Sequence, residues 1–94
     1  MNQKPRILFI VLKRKYFEQI LSGEKLEEYR IINRYWIIKL INQHYDKIIF
    51  QEGYTKSARR IIATYHGYTI KKIKHEHFSK RPVSVFAIQF RANP

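Results

Sequence analysis

Three alternately charged side chains follow a glycine turn in the segment Gly23-Glu24-Lys25-Leu26-Glu27-Glu28-Tyr29-Arg30. The residues from Lys25 to Ile32 are typical of an extended strand. On such a strand Glu28 and Arg30 share one face, because side chains two residues apart lie on the same side of the backbone. Strict alternation would place Lys25 on the opposite face. The three charges therefore form one site only if the strand begins after Lys25 or bulges there.

The elements before and after this segment indicate two helices and a first strand. Arg6–Leu12 contains a six-residue apolar run, which predicts a strand that is buried on both faces and lies centrally in its sheet. Arg14–Ser22 has the spacing of a short amphipathic helix, which Gly23 ends. Asn33 is expected to cap a second helix that continues to about Asn42 and packs Trp36 in the core.

The rest of the chain alternates predicted strands with polar connections: a strand at Lys47–Gln51, a loop at Gly53–Ser57, a strand pair or bent strand at Arg59–Lys74 broken near His66-Gly67, an irregular segment at Lys74–Pro82, and a buried strand at Val83–Phe90. Ninety-four residues suffice for one core and are too few for two. We therefore expect residues 1–94 to form a single α+β domain, with a curled sheet of about five or six strands and two flanking helices.

The charge balance points to a polyanionic partner. The chain has 19 Lys and Arg residues against 7 Asp and Glu residues, a formal net charge of +12. The excess positive charges repel one another in a compact fold, and a nucleic acid would neutralise part of this charge. Binding would also be favoured because each neutralised phosphate releases counterions. RNA or DNA is therefore the first candidate partner.

Other classes of protein are disfavoured by the same sequence. The longest apolar run, Ile7–Leu12, is far shorter than a membrane-spanning helix, and the first residues are polar, unlike a signal sequence. The absence of cysteine excludes disulfides, thiolate metal sites and cysteine nucleophiles. We expect a soluble, cytoplasmic protein with no membrane partner, while the oligomeric state stays open.

Gly23, Lys25, Glu28 and Arg30 match the Gly-x-Lys-x-x-Glu-x-Arg signature of the ASCH family, whose fold is PUA-like, and the chain resembles that family over nearly its whole length. An aromatic helix, a strand leading into Gly53-Tyr54 and a final apolar strand follow the signature. The resemblance implies a small β-barrel with flanking helices. It also implies a cleft beside the signature strand that takes RNA or a nucleotide-like ligand.

The signature residues offer distinct chemistry to such a ligand. Arg30 presents a planar fork to a phosphate or a base edge, Lys25 a point charge, and Glu28 an acceptor for an exocyclic amine or an orienting partner for Arg30. Tyr54, in the predicted loop, is the preferred ring for stacking on a base. The plain alternative is a ladder of surface salt bridges, which contributes only about 0 to 1 kcal/mol per exposed pair.

A second group of basic residues could follow a nucleic-acid backbone. It consists of Lys56, Arg59, Arg60, Lys71, Lys72 and Lys74, interleaved with Tyr54, Tyr65 and Tyr68. The alternative is a solvated basic face, because charges on opposite sides of a strand do not form one surface.

Catalysis is left open by the sequence. One branch of the ASCH family resembles an amidohydrolase for acetylated cytidine, with a lysine and, three residues later, a threonine as proposed nucleophile. Lys25 matches the lysine, but Glu28 stands in place of the threonine. Lys25 and Glu28 would be the catalytic pair, with Thr55, Ser57 or Glu52 as candidate additions. Another branch is linked to RNA cleavage.

No metal ion or cofactor is expected. His75 and His77 lie two residues apart and could face the same side of a strand, but a zinc site usually takes three or more protein ligands. The leading hypothesis is a module that binds RNA or a nucleotide. A hydrolase acting on a modified nucleoside comes second, and a small interaction protein with an acidic partner third.

Overall fold

The computed structural model describes residues 4–75 and 79–92. Seven elements follow one another within these residues: β1 (Ile7–Leu12), α1 (Arg14–Leu21), β2 (Glu27–Ile31), α2 (Arg34–Leu40), β3 (Lys47–Glu52), β4 (Arg60–His75) and β5 (Ser79–Ala92). The five strands form one sheet in the order β1-β3-β4-β5-β2, curled into a half-barrel. This confirms the predicted α+β class with a curled sheet and two helices.

The core is formed by the sheet together with both helices. Its buried residues come from both halves of the chain and from both helices: Leu8, Ile10, Leu12, Phe17, Ile20, Leu40, Ile48, Phe50, Ile61, Ala63, Phe86 and Ile88. Helix α1 contributes Phe17 and Ile20, which confirms its amphipathic pattern. Burial of such large apolar side chains is the main favourable contribution to folding.

Strand β1 is an edge strand, so the prediction of a central strand buried on both faces is wrong. Among the described strands it pairs only with β3, in parallel, and its burial alternates. Ile7 and Phe9 remain 42% and 44% exposed. The guanidinium carbon of Arg60 lies 5.2 Å from the centre of the Phe9 ring and covers part of it. An apolar run therefore does not distinguish a two-sided core strand from an edge strand with an apolar outer face.

Helix α2 begins as predicted and ends earlier. The side chain of Asn33 accepts a hydrogen bond from the backbone N–H of Trp36 at 2.9 Å, which confirms the predicted cap. The helix ends at Leu40 rather than near Asn42, which has a left-handed backbone with φ of 58°. Asparagine tolerates this conformation better than most residues and often follows the end of a helix.

Strands β4 and β5 form a long antiparallel hairpin. The predicted bend appears as a register shift between Tyr65 and Tyr68, around Gly67 with φ of 87°. The expectation of an irregular Lys74–Pro82 segment is wrong for residues 79–82, which belong to β5, while residues 76–78 lie outside the described part of the chain. Here Ser79 pairs with His75, and a register shift separates that pair from the pair of Val83 and Ile73. Burial on both faces holds for residues 85–88 in the centre of β5.

Candidate functional site

Lys25, Glu28 and Arg30 are positioned by the other edge strand, β2, and by the turn before it. Strand β2 pairs with β5 so that Glu28 lies opposite Ile88 and Arg30 opposite Phe86. Because β2 begins at Glu27, the alternation of a strand does not apply to Lys25. Gly23 turns the chain with φ of 82°, and the backbone N–H of Lys25 donates to the carbonyl of Gln19 at 2.9 Å. The strand thus begins after Lys25, one of the two arrangements that a shared site requires.

Glu28 holds the two basic side chains together. Its side chain is 4% exposed, Lys25 Nζ lies 2.5 Å from its Oε1, and Arg30 Nη2 lies 2.7 Å from its Oε2. The Lys25 and Arg30 side chains are themselves only 16% and 25% exposed. The cluster is therefore a partly buried network and not an exposed ladder.

Arg30 also joins the two edges of the sheet. Its Nη2 donates to the backbone carbonyl of Val11, at the end of β1, at 3.3 Å. The guanidinium carbon lies 5.1 Å from the centre of the Trp36 ring, within the range of a cation–π contact. Trp36 packs partly against the core, as predicted, and it also lines the site.

A cavity of about 540 Å³ opens beside this cluster. Its lining comes from β1, α1, β2, α2, the loop after β3 and the end of β4: Val11, Leu12, Lys13, Tyr16, Lys25, Glu28, Tyr29, Arg30, Ile31, Trp36, Gly53, Tyr54 and His75. Lys25 Nζ lies 4.7 Å from the centre of the Tyr16 ring. Tyr54 is 88% exposed at the rim. Cations and aromatic rings thus surround one concave space.

One donor in the cluster has no partner. The Nε of Arg30 is buried, and it makes no hydrogen bond to any described residue. The two hydrogen bonds that Arg30 makes to described residues both use Nη2. Buried polar groups in folded proteins are nearly always hydrogen-bonded, so an unpaired N–H on a residue that lines the cavity is unusual.

A second carboxylate, Glu27, forms a separate network next to the first. It accepts hydrogen bonds from Lys71 Nζ at 2.7 and 2.9 Å, from the Tyr29 hydroxyl at 3.1 Å and from the Gln89 amide. Burial alone would raise the pKa of Glu27, but the hydrogen bonds from Lys71, Gln89 and Tyr29 outweigh it and lower the pKa. Burial, together with the bond to Glu27, raises the pKa of Tyr29. Glu27 also lines a smaller adjoining cavity of about 390 Å³.

The predicted stripe of basic residues is not brought together. Arg59 forms ion pairs with Glu52, at 2.7 Å, and with Glu18. Arg60 Nε donates to Gln51 Oε1 at 2.9 Å, and Lys71 binds Glu27. The exposed Lys72 follows Lys71 directly on β4, so the two side chains point to opposite faces. Lys56 and Lys74 are exposed and line neither cavity.

Two of the three tyrosines predicted to accompany that stripe pack against the core. The ring centres of Tyr65 and Tyr45 lie 5.4 Å apart, and those of Tyr68 and Phe86 lie 5.1 Å apart. Burial, with the neighbouring phenols of Tyr45 and Tyr68, raises the pKa of Tyr65 to about 12. Tyr54 is the predicted stacking ring that reaches the cavity.

The candidate catalytic additions lie outside the cavity. Neither Thr55 nor Ser57 lines it, and none of its described lining residues is Ser or Thr. Glu52 pairs with Arg59 instead, and hydrogen bonds from Arg59 lower the pKa of Glu52. His75 lines the cavity, whereas His77 lies outside the described residues. Among residues 4–75 and 79–92, no three His, Asp or Glu side chains cluster as metal ligands.

Tyr16, Trp36 and His75 belong to the site but were not predicted as site residues. Tyr16 and Trp36 carry the apolar spacing of their helices, which indicates only core packing. The sequence offered one signal for these two residues, because each lies near the start of a helix that directly follows β1 or β2. Residues at such junctions lie close to the ends of the neighbouring elements.

Comparisons of the chain with protein-family models, with curated proteins and with solved structures found no match. Within the described part of the chain, no helix is both long enough and apolar enough to cross a membrane. A functional proposal therefore depends on the chemistry of the cavity and its surroundings.

Proposed function

We propose that this chain is an ASCH-like module that binds RNA or a nucleotide in the cavity beside β2. The observation that carries the proposal is the pair of cations, Lys25 and Arg30, held by one buried carboxylate in the wall of a 540 Å³ cavity. Cavities for small ligands usually measure about 300 to 1,000 Å³. The volume therefore suits a nucleotide or one unstacked base of a polymer.

The lining supplies both parts of nucleotide recognition. Lys25 has three N–H donors, of which one is used by Glu28, and Arg30 retains a buried Nε–H. Tyr16, Trp36 and the exposed Tyr54 offer ring faces. Stacking of a base on such a ring contributes roughly 1 to 3 kcal/mol.

The overall charge supports a polymer of phosphates as the partner. A net charge of +12 attracts a polyanion from a distance, and the scattered exposed lysines need not form one stripe to do so. Each phosphate contact adds affinity without sequence preference, and that affinity falls as salt rises. In this account the cavity supplies selectivity and the field of the whole protein supplies attraction.

A salt titration with matched variants tests the proposal. Binding to single-stranded RNA, duplex RNA and duplex DNA is measured for wild type, Arg30→Ala and Arg91→Ala. Arg91 is exposed and lines neither cavity, so both variants lose one positive charge but only Arg30→Ala changes the cavity. Arg30→Ala should bind at least about tenfold more weakly than Arg91→Ala, because charge-assisted hydrogen bonds are worth about 1.5 to 3 kcal/mol.

One further variant and one folding control complete the titration. Arg30→Lys keeps the charge but loses the planar fork, so it should resemble Arg30→Ala if geometry matters. Circular dichroism checks that each variant is folded. Equal weakening by Arg30→Ala and Arg91→Ala would contradict a cavity site, and no binding at low salt would contradict nucleic-acid binding altogether.

A hydrolase acting on an acylated nucleoside is the second candidate. The contact of 2.5 Å between Lys25 Nζ and Glu28 favours it, because a lysine and a carboxylate in contact can take and give a proton as water attacks an amide. No Ser or Thr among the described lining residues supplies the hydroxyl of a covalent route. Steady release of acetate from acetylated cytidine, lost in Lys25→Met and in Glu28→Gln, would establish this function. Gels of the titrated RNA report any cleavage.

A further inference from the structure

The charged side chains of the cavity differ in what they can still bind. Lys25 keeps N–H donors beyond the one used by Glu28, and the Nε–H of Arg30 is buried without a described partner. Lysine and arginine offer donors only. These two residues can therefore be satisfied by a ligand that brings acceptors.

The one acidic side chain among the described lining residues is already occupied. Each oxygen of Glu28 receives a hydrogen bond from a cation, one from Lys25 and the other from Arg30. With 4% of the side chain exposed, its remaining lone pairs are shielded from a ligand. Glu28 is thus an orienting partner for the two cations, and the alternative role of an acceptor for an exocyclic amine is disfavoured by this geometry.

Two backbone acceptors near the cavity are also engaged. The carbonyl of Val11 accepts from Arg30, and the carbonyl of Gly53 accepts from the Gln51 amide at 2.7 Å. The hydroxyls of Tyr16 and Tyr54 can donate or accept, so they do not discriminate between the two kinds of ligand.

We propose that the cavity selects ligands by an oxygen acceptor placed against Lys25 and Arg30, and that it rejects ligands that place an amino group there. This inference rests on the proposed function and defines its ligand class. The O4 of uracil and the O6 of guanine meet the requirement, and so does a phosphate oxygen. The O2 carbonyl is common to uracil and cytosine and gives no preference between them. Cytosine and adenine place an amine where uracil and guanine place the carbonyl oxygen.

The size of the preference follows from the cost of a mismatch. An amine facing the guanidinium would leave the Arg30 Nε–H and its own N–H groups buried without partners. A site built to hydrogen-bond one group discriminates strongly against an analogue that lacks it, because the buried groups of the site are then unpaired. A hydrogen bond to a charged group is worth about 1.5 to 3 kcal/mol, a factor of roughly 10 to 150 in affinity.

Uridine and cytidine form a matched pair for the test, because they differ at position 4 of the ring and the neighbouring nitrogen. Calorimetry or NMR titration compares these two nucleosides, their 5′-monophosphates and inorganic phosphate on the wild-type protein. Uridine should bind at least about tenfold more tightly than cytidine if the base carbonyl at position 4 is the acceptor. If a phosphate is the acceptor, both monophosphates should bind alike, both nucleosides weakly, and inorganic phosphate should compete.

The variant Arg30→Lys tests the role of the guanidinium group while the positive charge is kept. It should reduce the uridine preference, or the phosphate competition, by about tenfold relative to Arg91→Lys. Cytidine binding as tightly as uridine, with no competition by phosphate, would overturn the inference while leaving nucleotide binding in place. No binding of any of these ligands or of RNA would instead overturn the proposed function.

Discussion

Glu27 and Glu28 are neighbours on β2, yet they form opposite kinds of charge cluster. Glu28 faces the inside of the curled sheet between two cations, Lys25 and Arg30, beside the larger cavity. Glu27 points away from it and accepts from one cation, Lys71, and from two neutral donors. The backbone alternation of a strand separates them, not the identity of the residue.

The two clusters differ in charge balance and in unsatisfied donors. In the Glu27 cluster one positive charge meets one negative charge, and hydrogen bonds fill the carboxylate. In the Glu28 cluster two positive charges meet one negative charge, and the Nε of Arg30 is left over. The first cluster is balanced in charge, whereas we propose that a ligand with acceptors completes the second.

The largest expected effect separates the two glutamates by stability. Glu28→Ala should lower the free energy of unfolding by roughly 3 kcal/mol, because removing one partner of a buried ion pair leaves the opposite charges without a counter-charge. Glu27→Ala should cost about 1 kcal/mol or less, as expected for a more exposed pair. Urea unfolding at pH 7 measures both values. Equal losses would contradict the claim that only Glu28 anchors a buried network.

The effect of intermediate size is a loss of ligand affinity with little change in stability. Tyr54→Ala should weaken nucleotide or RNA binding by about 1 kcal/mol, the low end for stacking of a base on an aromatic ring. Its stability should change by less than about 0.5 kcal/mol, because the side chain is exposed. Phe9→Ala is the control, since Phe9 is a partly exposed ring on the outer face of β1 that lines neither cavity. Equal loss of affinity in both variants would contradict a specific role of Tyr54 in binding.

The smallest effect is a pH dependence that belongs to Glu27. Its pKa is lowered below the ordinary value of 4.5, so the folded protein favours the carboxylate form. The resulting stabilisation is present above the unfolded pKa and is lost as the pH falls through the folded pKa. The stability difference between wild type and Glu27→Gln should therefore shrink between pH 7 and strongly acidic pH. A difference that stays constant over this range would contradict the assigned cause.

Local signals in the sequence predicted much of the fold. Asn33 marked the start of α2, Gly23 the turn before β2, and the alternation of Glu28 and Arg30 their shared face. These features depend on residues close in the chain. The edge position of β1 could not be predicted in this way, because it depends on strand order, which no short pattern specifies.

The candidate site was predicted in part for the same reason. The signature placed Lys25, Glu28 and Arg30 together, because they lie within one turn and strand. The contact of Arg30 with Val11 spans 19 residues, and that of Lys71 with Glu27 spans 44, so charge and spacing could not reveal them. Lysines and arginines near one another in sequence were separated by strand faces and by distant acidic partners.

The most direct test of the open Glu28 cluster is NMR observation of the Arg30 Nε–H during a titration with uridine monophosphate, with Arg91 as the internal reference. The account predicts that the Arg30 Nε–H resonance shifts, saturates with the ligand and exchanges more slowly with solvent, while that of Arg91 stays nearly unchanged. A ligand that binds and leaves the Arg30 resonance unmoved would contradict it, and would make Lys25, Glu28 and Arg30 a structural network like that of Glu27.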